Sequence, residues 1–200
     1  MNVKKEGHLH PISLAIEEIR IIFEKIGFSM AEGPELETEF YNFDALNFPK
    51  DHQARDMQDT FWIKSGQFTI DQKQLTSHMS NVNSQKLLLR THTSPVQIRY
   101  MQSHKPPYAI VLPGKVFRNE ATDATHEAQF YQIEGLCVGK NISMTDLKGT
   151  IEYFFKSYFG EDAEIILRPS FFPFVEPGVE IAMKWKGKTL EMMGAGMVHP

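Results

Sequence analysis

Residues 115–134 read KVFRNEATDATHEAQFYQIE, two strand-like runs joined by a polar loop. Because side chains alternate between the faces of a strand, Arg118 and Glu120 share one face, and Gln132 and Glu134 share one face of the neighbouring strand. Four polar groups on a buried face are costly unless a ligand or each other satisfies them. An arginine fork suits a phosphate oxygen, and carboxylates and an amide suit an α-ammonium group. A ladder of surface salt bridges would also explain this pattern.

The sequence on both sides predicts an α+β fold, a mainly antiparallel sheet flanked by helices. Hydrophobic periodicity and capping signals predict helices over 12–26, 35–46, 94–103 and 144–159. In the third helix Ser94 is the expected N-cap, with Pro95 in the first turn. Strands are predicted over 87–89, 109–112, 115–119, 129–138, 164–168, 179–185 and 189–193.

Three connections complete this prediction. Residues 113–114 are expected to join two strands, and residues 64–86 are expected to form a flexible hairpin that extends from the domain. The glycine-rich residues 194–196 follow a predicted strand and are expected to turn into a further element. We therefore expect a single domain, cut before it is complete.

Composition narrows the possible functions. The 200 residues carry a net charge of −4, whereas a domain that grips nucleic acid with its whole surface is usually basic. The one cysteine, Cys137, cannot form an internal disulfide, which suits a reducing compartment. The sequence has no secretory signal, no apolar run that could span a bilayer, no zinc-ligand spacing and no glycine-rich nucleotide loop.

Two further clusters could bind a ligand. In PSFFPFVE (169–176), Phe172 and Phe174 share a face and could hold an aromatic ligand edge-on, although they could equally belong to a hydrophobic core. In RTHTSP (90–95), the amides of a helix start together with Ser94 and His92 suit a carboxylate or a phosphate. A simple N-cap would explain Ser94 but not His92.

Five segments together resemble the phenylalanyl-tRNA synthetase α-subunit family of class II aminoacyl-tRNA synthetases. They are GPELETEFYNFDALNFPKDHQARDMQDTFW (33–62), LLRTHTSPVQIRYM (88–101), DATHEAQFYQIEGL (123–136), MTDLKGTIEYFF (144–155) and RPSFFPFVEPGVE (168–180). The resemblance runs over nearly the whole chain and implies a class II core, an antiparallel sheet flanked by helices. It also implies ATP-dependent activation of L-phenylalanine and its transfer to tRNA(Phe).

The resemblance implies a role for each matching residue. Arg118 would bind the α-phosphate of ATP and Glu120 the amino group of phenylalanine, as the catalytic residues. His126 would reach the outer phosphates and Phe130 would stack on adenine. The residues expected to bind phenylalanine are His92, Thr93, Ser94, Gln97, Glu120, Gln132, Glu134, Phe172, Phe174 and Val175.

The resemblance also implies cofactors and partners. Mg²⁺ would be bound by Glu176, and ATP would be a substrate. Pro34 matches the motif 1 proline at a subunit interface. The expected partners are a β subunit in an α2β2 heterotetramer, tRNA(Phe), phenylalanine and ATP, in the cytoplasm and without a membrane.

The chain departs from the family pattern in three ways. Motif 3 and the N-terminal coiled coil are not in the sequence, so the isolated fragment is expected to be inactive. Tyr131 stands where family members often have histidine, and strand alternation predicts that it points away from Gln132.

Two alternatives stay open. The first is another enzyme of the same class that charges a related substrate, and the aromatic pair argues against a small or charged one. The second is a binding or assembly module that keeps the fold but catalyses no reaction. The presence of all four polar residues, Arg118, Glu120, Gln132 and Glu134, argues against it.

Overall fold

The computed structural model describes residues 7–56, 59–64, 86–119 and 127–200. Within these ranges two single 3₁₀ turns, at Asp44–Leu46 and Gln53–Arg55, accompany the helices and strands. In chain order the elements are α1 (Pro11–Glu24), β1 (Ser29–Met30), β2 (Leu36–Thr38), α2 (Glu39–Asn42), β3 (Trp62–Ile63), β4 (Leu87–Leu89), α3 (Ser94–Ser103), β5 (Tyr108–Phe117), β6 (Gln129–Val138), α4 (Met144–Phe159), β7 (Glu164–Pro169), β8 (Val175–Trp185) and β9 (Lys188–Val198).

The strands form three sheets in the described residues, with the orders β1-β5-β6, β2-β4-β3 and β7-β8-β9. All strand pairs are antiparallel except β1 with β5, which is parallel. The prediction of an α+β fold with a mainly antiparallel sheet is therefore confirmed. No helix in the described ranges combines the length and the apolar character needed to cross a membrane.

Two clusters of buried side chains hold the helices on the sheets. Under α3, Val96 packs with Ile110 and Leu112 of β5 and Leu136 of β6. Under α4, Ile151 and Phe155 pack with Ala163, Ile181 and Met183 on the β7-β8-β9 sheet. The predicted α4 is confirmed, and it starts with a capping box in which the side chains of Ser143 and Asp146 each accept a backbone N–H of the other residue.

The predicted helix over 35–46 is wrong. Its first residues form β2, because Leu36, Glu37 and Thr38 pair with β4. The Thr38 side chain then accepts the N–H of Tyr41 and starts the four-residue α2. Tertiary strand pairing overrides a helical propensity that is weak in a segment rich in aromatic residues.

Residues 113–114 do not form a turn, and β5 continues through them to Phe117. β1 pairs with β5 only at Ile110 and Val111, so Pro113 lies where β5 has β6 on one side and a free edge on the other. A proline is tolerated there because its missing N–H can face that edge.

The predicted turn at 194–196 is also wrong, because β9 runs on to Val198. A Cβ on Gly194 would lie 2.5 Å from the ring of Phe172, and a Cβ on Gly196 would lie 2.4 Å from the carbonyl oxygen of Pro177. The two glycines therefore allow close packing across the strand rather than a change of direction.

The predicted N-cap of α3 differs by one residue. Thr93 occupies the N-cap position, without a capping bond from its side chain, and Ser94 is the first helical residue. The helix itself spans the predicted residues. The predicted hairpin over 64–86 lies outside the described residues apart from its two ends.

A buried ion pair ties β2 to α3. Glu37 is fully buried, and its two carboxylate oxygens accept hydrogen bonds from Nε and Nη2 of Arg99, each at 2.8 Å. The same guanidinium lies 4.0 Å from the ring centroid of Tyr41. The pair therefore fixes the position of α3 relative to α2 and β2.

We expect Arg99→Met to lower the free energy of unfolding by about 3–5 kcal/mol, because Glu37 would stay buried without its partner. Urea denaturation measures this change. Ser143→Ala, which removes the α4 cap, is the control and should cost about 1 kcal/mol. Equal losses in the two variants would contradict a dominant role for the ion pair.

Candidate functional site

The site is built on β6, whose residues alternate between the two faces of the sheet. Phe130, Gln132 and Glu134 are partly buried on one face, whereas Tyr131 is exposed on the other. The expected orientation of Tyr131, away from Gln132, is confirmed. The register places Gln132 opposite Gly114 and Glu134 opposite Leu112, so the polar groups lie along the centre of the strand pair.

Glu134 is bound by the first turn of α3. The Ser94 hydroxyl lies 2.9 Å and 2.7 Å from the two carboxylate oxygens, and the Gln97 amide donates to Oε2. Burial raises the pKa of Glu134, and these hydrogen bonds oppose that increase. The helix start also favours a negative charge at this place.

Two polar side chains of this region are buried and have atoms without a hydrogen-bond partner among the residues that the structure describes. They are the ring nitrogens of His92 and the amide oxygen of Gln132, whereas the Thr93 hydroxyl interacts with the Glu134 carboxylate. Buried polar atoms are nearly always paired, so unpaired ones next to a buried carboxylate point to a polar ligand.

His92 is held neutral. Burial, together with the positive charges of Arg118 and Arg90, lowers its pKa from the ordinary 6.5 to about 3, although a contact with the backbone of Asn42 opposes this shift. A neutral imidazole offers one donor and one acceptor, so it can orient a polar ligand without adding charge.

Arg118 follows β5 directly. Its Nε donates to the carbonyl oxygen of Thr91 at 3.3 Å, and its guanidinium carbon lies 5.0 Å from the ring centroid of Phe130. Among the residues that the structure describes, no other hydrogen bond of the guanidinium is found, so its remaining donors suit an anionic group. The two other residues expected here, Glu120 and His126, lie outside the described residues.

The aromatic segment forms a second part of the site. The rings of Phe172 and Phe174 are stacked with centroids 5.9 Å apart, and Phe172 also lies against Gly194 of β9. Val175 beside them is buried, whereas Phe171 is 80% exposed. The structure therefore provides an aromatic wall, as required for an aromatic ligand.

Two residues of the expected set lie at the edges. Pro34 is exposed, and its carbonyl oxygen is 3.3 Å from Nη1 of Arg90. Glu176 is exposed at the start of β8. In the described part of the chain, no three acidic, histidine or cysteine side chains lie close enough to hold a metal ion.

Arg90 organises this region and was not among the predicted site residues. It is buried, its Nε donates to the carbonyl oxygen of Lys115 at 2.7 Å, and its Nη1 donates to that of Gly33 at 3.0 Å. Its own N–H and C=O pair with Glu35 and Phe117. The signal in the sequence that could have revealed Arg90 is its position, a charged residue directly after the strand of three leucines. The partners of Arg90 are backbone carbonyls, which sequence patterns do not reveal.

The arrangement combines three binding functions. Acceptors on Glu134 and Gln132 suit an ammonium group, the Phe172–Phe174 wall suits an aromatic side chain, and Arg118 suits a phosphate. No covalent nucleophile is needed for chemistry in which such a site positions two substrates and stabilises developing charge.

Comparison with known proteins agrees with this description. The profile of the family described as "tRNA synthetases class II core domain (F)" matches residues 1–200. The phenylalanine–tRNA ligase α subunits of Synechocystis sp. and Deinococcus radiodurans are 48% identical over 197 residues and 50% over 199 residues. These alignments cover 98% and 97% of this chain but 54% and 53% of those proteins. The chain thus spans about half the length of these relatives.

A solved structure of pyrrolysyl-tRNA synthetase from Desulfitobacterium hafniense has the same fold. It superposes with a TM-score of 0.61 at 14% identity and covers 90% of this chain and 57% of that one.

We expect Gly114→Ala to lower the free energy of unfolding by about 2–4 kcal/mol, through overpacking and lost buried hydrogen bonds. The new Cβ would lie 2.0 Å from Nη2 of Arg90 and push the guanidinium away from the carbonyl oxygens that Nε and Nη1 bind. The control is Gly149→Ala, in α4 with open space around it, which should raise stability by about 0.5–1 kcal/mol. Urea denaturation of both variants compares them, and a neutral Gly114→Ala would contradict the tight packing.

The pKa of His92 predicts a pH-dependent stability. Its pKa is lower in the folded state, so its contribution is complete above pH 6.5 and is lost as the pH falls from there towards 3. We expect wild-type stability relative to His92→Asn to fall by roughly 2 kcal/mol between pH 7 and pH 5. Urea denaturation at the two pH values measures this, and a constant difference would mean that His92 protonates normally.

Proposed function

The chain belongs to the class II tRNA synthetase core-domain family, and on that premise we propose that it is the catalytic core of a phenylalanine–tRNA ligase α subunit. The observation that carries the proposal is the pairing of two sub-sites. An ammonium-binding group around Glu134 and an aromatic wall at Phe172 and Phe174 together fit phenylalanine. The relatives of nearly 50% identity, named as such subunits, support the same substrate.

We propose two steps for the complete enzyme. The phenylalanine carboxylate attacks the α-phosphorus of ATP, and the bond to pyrophosphate breaks to give phenylalanyl-adenylate. A hydroxyl of the terminal ribose of tRNA(Phe) then attacks the acyl carbon, and AMP leaves. Neither step needs a covalent bond to the protein, so the residues act by positioning and by stabilising charge.

Each residue of the predicted site has a part in the proposed mechanism. Arg118 binds the α-phosphate and stabilises its charge as pyrophosphate leaves. Phe130 offers its ring to adenine, and Gln132 and Glu134 accept from the ammonium group of the amino acid. Glu120 joins them in binding the ammonium group, and His126 binds the outer phosphates. The remaining phenylalanine-binding residues are His92, Thr93, Ser94, Gln97, Phe172, Phe174 and Val175.

We propose that Mg²⁺ accompanies ATP. In nucleotide sites this ion is held by one or two carboxylates and by the substrate phosphates, which is compatible with the single carboxylate of Glu176. Mg²⁺ would neutralise phosphate charge, and no step assigned to the residues above depends on it.

The partners follow from the same proposal. We propose that the complete α chain works with a β subunit in an α2β2 heterotetramer, with Pro34 at a subunit interface. Its location would be the cytoplasm. The acidic net charge of −4 supports contacts to tRNA that lie mainly outside these 200 residues.

Amino-acid-dependent ATP–pyrophosphate exchange tests the function, with the complete α chain co-expressed with its β partner. Exchange with phenylalanine supports the proposal. Exchange with another amino acid from a panel would keep the reaction and overturn the substrate. Silence with every amino acid in a folded complex would favour a non-catalytic module.

We expect Arg118→Ala to lower the rate of phenylalanine-dependent exchange by roughly 10²-fold or more, as when one preorganised charge-stabilising group is lost. The control is Arg20→Ala on α1, which removes only exposed pairs with Glu17 and Glu24 and should leave exchange unchanged. Wild-type exchange in Arg118→Ala would remove this residue from the mechanism.

A further inference from the structure

Residues 43–56, which follow α2, are folded around one buried arginine. Arg55 donates from Nη2 to the carbonyl oxygen of Phe48 at 2.7 Å and from Nε to that of Pro49 at 2.8 Å. It also forms ion pairs with Asp44 and Glu39. Because two successive carbonyl groups are bound by one planar guanidinium, the backbone at Phe48 is held in one position.

The ring of Phe48 lies against two residues of the proposed phenylalanine site. It stacks on His92 with centroids 5.8 Å apart and an interplanar angle of 13°. It also contacts Phe174, again at 5.8 Å between centroids. Phe48 therefore joins the polar part of the site to its aromatic wall.

A hydrogen bond reinforces this contact. Asn47 has a left-handed backbone, with φ of 62°, and its side-chain amide donates to the carbonyl oxygen of Pro173 at 2.8 Å. Pro173 lies between Phe172 and Phe174. Residues 43–56 are thus attached to the aromatic segment through both a ring contact and a backbone carbonyl.

The orientation of His92 depends on this packing. Neither ring nitrogen meets the geometry of a hydrogen bond in the described ranges, and the backbone of Asn42 makes only a weak polar contact, so neighbouring rings are the main support of the imidazole. Its aromatic neighbours are Phe43, at 6.5 Å and edge-on, and Phe48, which is closer and nearly parallel. Loss of the Phe48 ring would leave one face of His92 without support.

We propose that Phe48, held by Arg55, is a positioning residue that sets His92 and Phe174 for binding of phenylalanine. This inference rests on the proposed function and deepens it. Phe48 acts through the two pocket residues. Its removal should therefore weaken binding of the amino acid and leave the ATP side of the reaction, at Arg118, unchanged.

The test is steady-state phenylalanine-dependent ATP–pyrophosphate exchange by the α–β complex carrying Phe48→Leu. We expect the KM for phenylalanine to rise about tenfold, as for a pocket misfit of about one methylene. The kcat and the KM for ATP should stay within about twofold of the wild-type values. The variant weakens binding of phenylalanine equally in the ground state and in the transition state, which raises KM and leaves kcat unchanged. Arg55→Lys should shift the KM for phenylalanine in the same direction, because an ammonium group cannot reproduce the planar fork.

Phe155→Leu is the matched control. Phe155 is fully buried in the cluster under α4, and in the described residues its ring contacts are with Phe154 and Phe159 rather than with the proposed site. It should lower Tm as a core truncation does and leave the KM for phenylalanine unchanged. Phe48→Tyr, which keeps the ring, should restore a KM close to that of the wild type.

An unchanged KM for phenylalanine in Phe48→Leu, or the same shift in Phe155→Leu, would show that Phe48 has only a structural role and overturn the inference. If Phe48→Leu does not fold, Arg55→Lys decides by the same split between KM and kcat, and an unchanged KM for phenylalanine in Arg55→Lys would overturn the inference. A wild-type complex that exchanges with another amino acid but not with phenylalanine would overturn the proposed substrate, and the inference with it.

Discussion

The pairing of β5 with β6 is the constraint on which the rest of the structure depends. Ten consecutive residue pairs, from Tyr108–Val138 to Phe117–Gln129, fix the register without a bulge. A slip of one residue would turn Gln132 and Glu134 to the opposite face. The same register places Arg118 at the end of β5 and Leu112 in the core under α3. One strand pair thus sets both the packing and the polar side of the site.

This strand pair can carry buried charge because the surrounding backbone satisfies it. The Arg90 guanidinium binds carbonyl oxygens of the segment at 33–34 and of β5, and the hydrogens of Gly114 leave room for it. Burial lowers the pKa of Arg90, and the carboxylates of Glu35, Glu37 and Glu134 oppose this. The interior is stabilised by these long-range contacts together, since removing one partner would leave another charge buried alone.

The sequence was sufficient where local signals and the fold agree. β6, α3 and α4 have their predicted spans because alternation and helix-start signals act within a few residues. Prediction from the sequence failed where contacts between distant residues determine the secondary structure. Residues 36–38 are a strand only because β4 pairs with them, and Gly194 lies in a strand because the ring of Phe172 packs on it. The candidate site was predicted through its polar and aromatic side chains, whereas the supports from Arg90 and Phe48 depend on tertiary contacts that no local pattern encodes.

The unpaired atoms of the site carry a further physical consequence. A buried polar group without a partner costs about 1–3 kcal/mol, and the ring nitrogens of His92 and the amide oxygen of Gln132 are such groups within the described residues. The folded chain can keep them only because other contacts are strong, among them the Glu37–Arg99 pair and the core under α4. A ligand that supplies the missing hydrogen bonds recovers this cost on binding. A site of this kind discriminates strongly against molecules that lack the matching polar groups, because they would leave the same atoms unpaired. On the proposed function, selectivity for the amino-acid end of the ligand would therefore arise from the buried polar atoms, and selectivity for its side chain would arise from the aromatic wall.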